Sequence, residues 1–170
     1  MSVRMLSIDP GTKCGYSWLD VPIPTPEVLK PQPAYSGVWN LAVQRHEGGG
    51  MRFLRLKKHL VELEPKFILY EEVRGHKGTS AAHIYGGIVA TIQTYCEEHT
   101  IDYIAIPVGT IKKRASGKGN CGKDVMVETA NAEFVRPPDE PITKDDIADA
   151  MWLLQIGLEE YAHVLIDGAK

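Results

Sequence analysis

The sequence has 170 residues, 44% of them hydrophobic and 24% charged, which suits one globular domain over residues 1–170 with a buried core. Its three cysteines form no C-x-x-C pair, which argues against a disulfide framework and a thiolate zinc site and favours a reducing compartment. No apolar run approaches the ~20 residues that span a bilayer, and the first residues do not resemble a signal peptide. We therefore expect a soluble, cytoplasmic protein without a membrane partner.

The net charge of −3 conceals an uneven distribution along the chain. Residues 1–123 contain 16 Lys and Arg against 11 Asp and Glu, whereas residues 124–170 contain 3 against 11. A basic body with an acidic final section is consistent with a nucleic-acid partner.

Hydrophobic periodicity and breaker residues predict five strands and four helices. In chain order these are strands at 3–8, 15–19 and 35–41, a helix from 53 to 63 that Pro65 ends, a strand at 67–73, a helix at 80–100, a strand at 103–108, and helices at 124–134 and 143–161. Five prolines make residues 21–34 an extended loop, and residues 110–122 form a basic, glycine-rich loop.

The order of these elements predicts an α/β fold. Three early strands joined by loops suggest an antiparallel meander, and later strands that alternate with helices imply parallel crossovers. We expect a mixed five-stranded sheet with helices on both faces.

Acidic residues lie where strands end. Asp9 follows the first strand, at the edge where α/β folds bind ligands, although a turn Asp that accepts hydrogen bonds from backbone N–H groups would look the same. Glu71 and Glu72 end the fourth strand, and alternation places them on opposite faces without telling which one faces the site.

The last predicted helix contains three further aspartates. Thr143 and Asp146 have the spacing of a capping box, and Asp145 and Asp146 suit the positive end of the helix dipole. Asp149 lies among apolar residues, where an acid is costly unless it is paired or metal-bound, and it shares a face with Asp146. A capping residue followed by a surface Asp is the alternative.

Carboxylates brought together from separate elements are the ligands that Mg²⁺ or Mn²⁺ selects. The candidate ligands are Asp9, Asp146, Asp149 and one of the two glutamates Glu71 and Glu72. Four carboxylates could hold two ions, which activate a water and stabilise the leaving oxygen in phosphodiester hydrolysis.

The segment 109–123 is rich in basic residues and contains no acid before Asp124. Its glycines leave backbone N–H groups accessible to phosphate, although a solvated loop has the same composition. Beside a carboxylate cluster, we expect a DNA-backbone surface here and in the segment after the fourth strand. The candidate DNA-binding residues are Lys112, Lys113, Arg114, Lys118, Lys123, Arg74, His76 and Lys77.

Four stretches of the sequence together resemble the RuvC-type Holliday-junction resolvases, which are RNase H-like nucleases. They are SIDPGTKCGYS, FILYEEV, IKKRASGKGNCGKDVM and DDIADAMWLL, and they occur in the family's order. Small divergent relatives of this type are common in phages, which is consistent with a phage origin and the host cytoplasm as location.

The resemblance implies a role for each matched residue. It makes Asp9, Glu71, Asp146 and Asp149 the catalytic, metal-binding carboxylates, and so selects Glu71 over Glu72. Lys112 and Lys123 match two lysines that lie at the DNA phosphate, with Lys123 also assisting cleavage, and Arg74 stands where the family has an aromatic residue. The implied protein is a homodimeric crossover junction endodeoxyribonuclease in which each subunit nicks one strand of branched DNA.

Two other functions are compatible with parts of the sequence. An actin-like ATPase or sugar kinase also opens with an Asp-x-Gly-Thr phosphate loop, but it needs a second such loop, which is missing here. A non-catalytic protein that binds branched DNA would share the basic surface, yet all four candidate carboxylates are present.

Overall fold

A computed structural model describes residues 2–22, 34–76, 78–134 and 140–162. Within these residues, five strands and five helices follow one another. They are β1 (Ser2–Asp9), β2 (Lys13–Pro22), β3 (Tyr35–Asn40), α1 (Met51–Leu63), β4 (Phe67–Glu72), α2 (Thr79–His99), β5 (Asp102–Pro107), α3 (Val108–Ser116), α4 (Lys123–Glu133) and α5 (Asp145–Glu160).

The strands form one mixed sheet in the order β3-β2-β1-β4-β5. The pairs β1–β2 and β2–β3 are antiparallel, whereas β4 pairs in parallel with both β1 and β5. This is the predicted arrangement of a meander followed by helical crossovers. It brings the carboxyl ends of β1, β4 and β5 to one edge of the sheet, which we call the site edge.

Strand alternation separates two hydrophobic cores, one on each face. In β4, Phe67 and Leu69 pack against α3, α4 and α5, whereas Ile68 and Tyr70 pack against α1 and α2. Helices therefore cover both faces, as the sequence predicted. Helix α5 contributes more buried residues to these cores than any other described helix, with eight.

Helix α5 packs closely against the sheet because glycine lies at two contact points. A Cβ atom at Gly157 of α5 would stand 2.7 Å from Leu69 Cδ1 and 2.8 Å from Met5 Sδ. A Cβ at Gly15 of β2 would overlap the backbone carbonyl oxygen of Asp146. A side chain at Gly15 would push the helix away from the strands, whereas one at Gly157 would require Leu69 and Met5 to move.

Three predicted boundaries were wrong. Helix α3 includes residues 110–116, which were predicted as the start of a loop. The helix was missed because Ile111 is its one fully buried residue, so the apolar periodicity is weak. Strand β2 continues to Pro22, which is tolerated as its last residue, so Val21 is not in the predicted loop; residues 23–33 of that loop lie outside the described residues. Helix α5 begins at Asp145 after Lys144, with no side-chain capping bond, so the predicted capping box at Thr143 is absent.

Candidate active site

Asp9 and Glu71 lie side by side at the site edge. Asp9 is the last residue of β1, and Ile8 before it pairs with Tyr70 of the parallel strand β4, so the next residues along are Asp9 and Glu71. Asp9 shares a face of β1 with Met5, which packs in the core beneath α5. Both carboxylates therefore face helix α5.

The two glutamates of β4 have opposite surroundings. Glu71 follows Phe67 and Leu69 on the α5 face and is 7% exposed. Glu72 is half-buried on the other face, where its carboxylate forms an ion pair with Arg74 at 3.2 Å. The alternation argument is confirmed, and the structure places Glu71 among the other candidate carboxylates.

Gly15 brings the first turn of α5 to the same place. It pairs with Asp9 across the β1–β2 hairpin, and its missing side chain leaves room for the backbone of Asp146. Asp146 and Asp149 lie one turn apart at the start of α5, where the positive end of the helix dipole favours acids.

Burial and mutual repulsion raise the pKa values of all four carboxylates. Burial and then the charges of Glu71, Asp149 and Asp146 hold the pKa of Asp9 well above its usual value. Burial and the charge of Asp149 raise the pKa of Glu71 to about 7. Burial and neighbouring acids raise the pKa of Asp149 to about 6, and the pKa of Asp146 rises for the same reasons. The groups thus act on one another as one cluster, which we call the carboxylate cluster.

The donor set fits a divalent cation by its chemistry. Hard carboxylate oxygens are the ligands of Mg²⁺ and Mn²⁺, and a cation relieves the repulsion that raises these pKa values. In residues 2–22, 34–76, 78–134 and 140–162, no three His, Cys, Asp or Glu side chains already stand close enough together to hold a metal ion. The fit therefore lies in ligand type and charge, and binding requires the side chains to turn towards a common point.

Lys112 and Lys123 approach the carboxylate cluster from two different helices. The charge of Lys112, in α3, lowers the pKa values of Glu71 and Asp149. The charge of Lys123, at the start of α4, lowers those of Asp146 and Asp149. The two lysines that the sequence singled out thus lie beside the cluster.

No protein-family model and no curated protein matches this sequence. Among solved structures, T. thermophilus RuvC in complex with a Holliday junction substrate has a TM-score of 0.71 and 17% identity, with 96% of this chain and 97% of that chain covered. The yeast mitochondrial Holliday junction resolvase Ydc2 has a TM-score of 0.61 and 15% identity, with 99% of this chain and 85% of that chain covered. The fowlpox virus Holliday junction resolvase has a TM-score of 0.60 and 16% identity, with 92% and 99% covered. This chain has the RuvC fold.

The RuvC fold confirms the α/β, RNase H-like architecture expected from the sequence. It also confirms, at the level of fold, the resemblance inferred from the four motifs. Within the described part of the chain, no helix is long and apolar enough to cross a membrane.

In this RuvC fold the basic segment does not form one surface. Consecutive helical residues point about 100° apart, so the neighbours Lys112, Lys113 and Arg114 of α3 diverge. Lys113 is exposed, as is Lys118 beyond the end of the helix. Arg114 instead makes two hydrogen bonds to Glu159, of 2.6 and 2.9 Å, near the far end of α5. Arg114 is bonded to both carboxylate oxygens of Glu159 and its side chain is 37% exposed. Arg74, by contrast, contacts one oxygen of Glu72 and is 80% exposed, so we leave only Arg114 out of the DNA surface proposed below.

The segment after β4 is connected to the site through Tyr85 of α2. The Tyr85 hydroxyl donates to the carbonyl oxygen of Glu71 and accepts from the Val73 N–H, both at 3.0 Å. The His76 ring packs on Tyr85 with centroids 4.6 Å apart, and its Nε2 is buried without a hydrogen-bond partner. Arg74 is exposed, and Lys77 lies outside the described residues.

Sequence reasoning missed the contacts of three residues beside the carboxylate cluster. Asp145 forms an ion pair with Lys123. Lys13, the first residue of β2, lies on the same strand face as Gly15, and its charge lowers the pKa of Asp146. Tyr85 fixes the backbone at Glu71. The sequence shows that Lys13 and Gly15, two residues apart in a strand, share one face. The contacts of Asp145 with Lys123 and of Tyr85 with Glu71 depend on how the helices pack.

Proposed function

We propose that this chain is a metal-dependent endodeoxyribonuclease that nicks four-way and other branched DNA by hydrolysis of a phosphodiester bond. The observation that supports this most directly is the carboxylate cluster, which stands at the site edge of a RuvC fold with Lys112 and Lys123 beside it. The similar structures are Holliday junction resolvases, one of them in complex with its junction substrate.

In this proposal Asp9, Glu71, Asp146 and Asp149 hold Mg²⁺ or Mn²⁺, with two ions per site. Such a pair of cations supplies activation of a water and stabilisation of the leaving oxygen in an in-line displacement. Tyr85 keeps the Glu71 backbone in place. Lys112 and Lys123 bind the phosphate and neutralise the negative charge that develops on it during cleavage.

Exposed backbone donors around the site favour a phosphate-binding surface. The residues preceding the five helices in the described part of the chain make no side-chain capping bond; they are Gly50, Gly78, Pro107, Gly122 and Lys144. Helix α3 begins directly after β5, so its first N–H groups lie at the site edge together with those of α5. Uncapped helix starts and exposed basic residues suit a polyanion, and Lys113, Lys118 and Arg74 complete the DNA surface we propose.

We further propose that the protein acts as a homodimer in the cytoplasm. A four-way junction presents two strands for nicking, and two copies related by a two-fold axis supply one site for each. The molar mass of the purified protein, measured by light scattering on a sizing column, tests this; a mass near 18.8 kDa would indicate a monomer.

The central experiment is cleavage of end-labelled four-way, three-way, flap and linear duplex DNA with Mg²⁺, Mn²⁺ or EDTA. We expect nicking of branched DNA with either metal and none in EDTA. Full cleavage in EDTA would refute metal dependence, and junction binding without cleavage would favour the non-catalytic alternative. Cleavage of linear duplex as fast as junctions would refute selectivity for branches.

Two matched variants separate the site from contaminating nuclease. Asp149→Asn removes one charge from the carboxylate cluster and should abolish cleavage while the fold and junction binding persist. Asp102→Asn makes the same change at an exposed position at the start of β5, away from the site edge, and should cleave as the wild type does. Retention of cleavage by Asp149→Asn would contradict the assignment.

A further inference from the structure

Lys123 and Asp145 join the starts of two helices. Lys123 is the first residue of α4, Asp145 is the first residue of α5, and the ammonium hydrogen-bonds to Oδ2 of Asp145 in an ion pair. The lysine side chain is 80% exposed, whereas that of Asp145 is 27% exposed. The contact thus fixes the end of a long, mobile cationic side chain on a more rigid acid.

This pairing distinguishes Lys123 from its neighbours. Of the four lysines between residues 112 and 123, Lys123 alone has an ion-pair partner in the part of the chain that the structure describes. A lysine in the first turn of a helix also faces the positive end of the dipole, which is unfavourable without an acid nearby. Asp145 supplies that acid from the adjacent helix.

The pair stands against the carboxylate cluster. Asp145 directly precedes Asp146 in α5, and the charges of both Asp145 and Lys123 act on Asp146 and Asp149. An ammonium has three N–H donors, so a bond to Asp145 leaves two for a phosphate oxygen. An acid at a DNA-binding edge repels phosphate unless its charge is compensated, and Lys123 compensates it here.

We propose that Asp145 is a positioning residue that holds the Lys123 ammonium beside the carboxylate cluster, ready to contact the phosphate being cleaved. This rests on the proposed nuclease function. It adds to the interaction with the helix dipole, which is the only role that the sequence predicted for Asp145.

The test is single-turnover cleavage of a four-way junction by saturating enzyme, together with the junction Kd measured in Ca²⁺. Removal of the anchor in Asp145→Asn should slow cleavage about tenfold or more, because misplaced catalytic groups cost up to about 10²-fold. The Kd should change by less than about threefold, since one phosphate contact is at stake. Asp145→Glu should restore most of the rate because it restores the carboxylate.

A double variant separates positioning from a general loss of structure. If Asp145 acts through Lys123, then Asp145→Asn combined with Lys123→Ala should be no slower than Lys123→Ala alone. The proposal would be overturned if the rate loss of the double variant equalled the product of the two single losses, or if Asp145→Asn cleaved at the wild-type rate. Asp124→Asn, at the exposed second residue of α4, is the matched control and should cleave normally.

NMR of the lysine NH₃⁺ groups in the metal-free protein provides a readout that does not need activity. The Lys123 signal should be visible and slow to exchange with water in the wild type, and lost in Asp145→Asn. Should Asp145→Asn fail to fold, Asp145→Ser, which also suits a helix start, should give the same slow cleavage and the same loss of signal. If the wild type cleaves no branched DNA, the proposed function fails while the NMR result still decides whether Asp145 immobilises Lys123.

Discussion

Glu71 and Glu72 are adjacent in the chain but face opposite layers of the molecule, which makes them a matched pair. Glu71 faces the carboxylate cluster, and Glu72 is half-buried on the other face beside Arg74. We expect Glu71→Gln to abolish cleavage and Glu72→Gln to retain most of it, measured as initial nicking rates on the same junction. Equal losses would contradict the assignment of one functional face.

Removal of the Asp9 charge should stabilise the metal-free protein. Burial and four neighbouring acids raise the pKa of Asp9, so the ionised carboxylate disfavours the folded state. Asp9→Asn should therefore melt at a higher temperature than the wild type in EDTA while losing cleavage. Asp102→Asn, which is exposed, serves as the control and should leave the melting temperature unchanged.

The charges of the carboxylate cluster also determine how the free energy of unfolding changes with pH. The folded-state pKa values of Glu71 and Asp149 are about 7 and about 6, above the roughly 4 of unfolded Asp and Glu. Between these limits the folded state binds more protons, so the free energy of unfolding in EDTA should fall as the pH rises from about 4 to 7. A free energy that increased over this range would contradict the clustering of the carboxylates.

Lys13 is an exposed basic residue near the carboxylate cluster that the sequence analysis did not identify. It is exposed and has no ion-pair partner in the described part of the chain, and its strand face leads to Gly15 and Asp146. We expect Lys13→Ala to weaken junction binding severalfold and to slow cleavage, as measured by anisotropy and nicking assays. Lys66→Ala removes an exposed lysine next to the start of β1, at the opposite edge, and should have little effect on either.

At the scale of elements, the packing of α5 on β2 brings the two halves of the site together. In Gly15→Ala the new methyl group would overlap the backbone of Asp146, which no side-chain rotation can relieve. We expect a lower melting temperature and strongly reduced cleavage. Gly86→Ala, at an exposed α2 position with no atom within 4 Å of the added Cβ, should be neutral or stabilising by up to about 1 kcal/mol.

Regular elements were predictable because their apolar periodicity is clear. The order of strands and helices and the mixed sheet followed from alternation and breaker residues, whereas the choice of Glu71 over Glu72 among the candidate carboxylates came from the resemblance to RuvC-type resolvases. Helix α3 was not predicted, since Ile111 is its one fully buried residue and Ala115 and Arg114 add contacts that depend on tertiary packing. The Lys123–Asp145 pair joins two helix starts, and its formation depends on how α4 packs against α5 rather than on any local pattern.

At the scale of the whole molecule, positive and negative charges are unevenly distributed along the chain. The basic residues of the first 123 positions contribute most of the cations, whereas the acidic last section contributes Asp146 and Asp149. A fold shared at 17% identity with RuvC shows how little of the sequence the architecture itself requires.

We expect Lys118 and Lys123 to contribute differently, Lys118 to the affinity for DNA and Lys123 to the rate of cleavage. Lys118 is exposed and unpaired among the described residues, so Lys118→Ala should lower the slope of log Kd against log salt by about one. Its single-turnover rate with saturating enzyme should remain near that of the wild type. Lys123→Ala should instead slow that rate by about 10²-fold, the effect of removing one electrostatic stabiliser. A Lys123→Ala enzyme with the wild-type rate would indicate a purely electrostatic surface.

The uncapped helix starts imply a trade-off between thermostability and activity. A Ser, Thr, Asp or Asn at such a position typically adds 0.5 to about 2 kcal/mol over a residue without a capping side chain, and Lys144 before α5 is such a residue. A capping side chain there would engage the same N–H groups that we expect to meet phosphate. We therefore expect variants selected only for heat resistance at Lys144 to cleave more slowly, because the new capping side chain would compete with phosphate for these N–H groups.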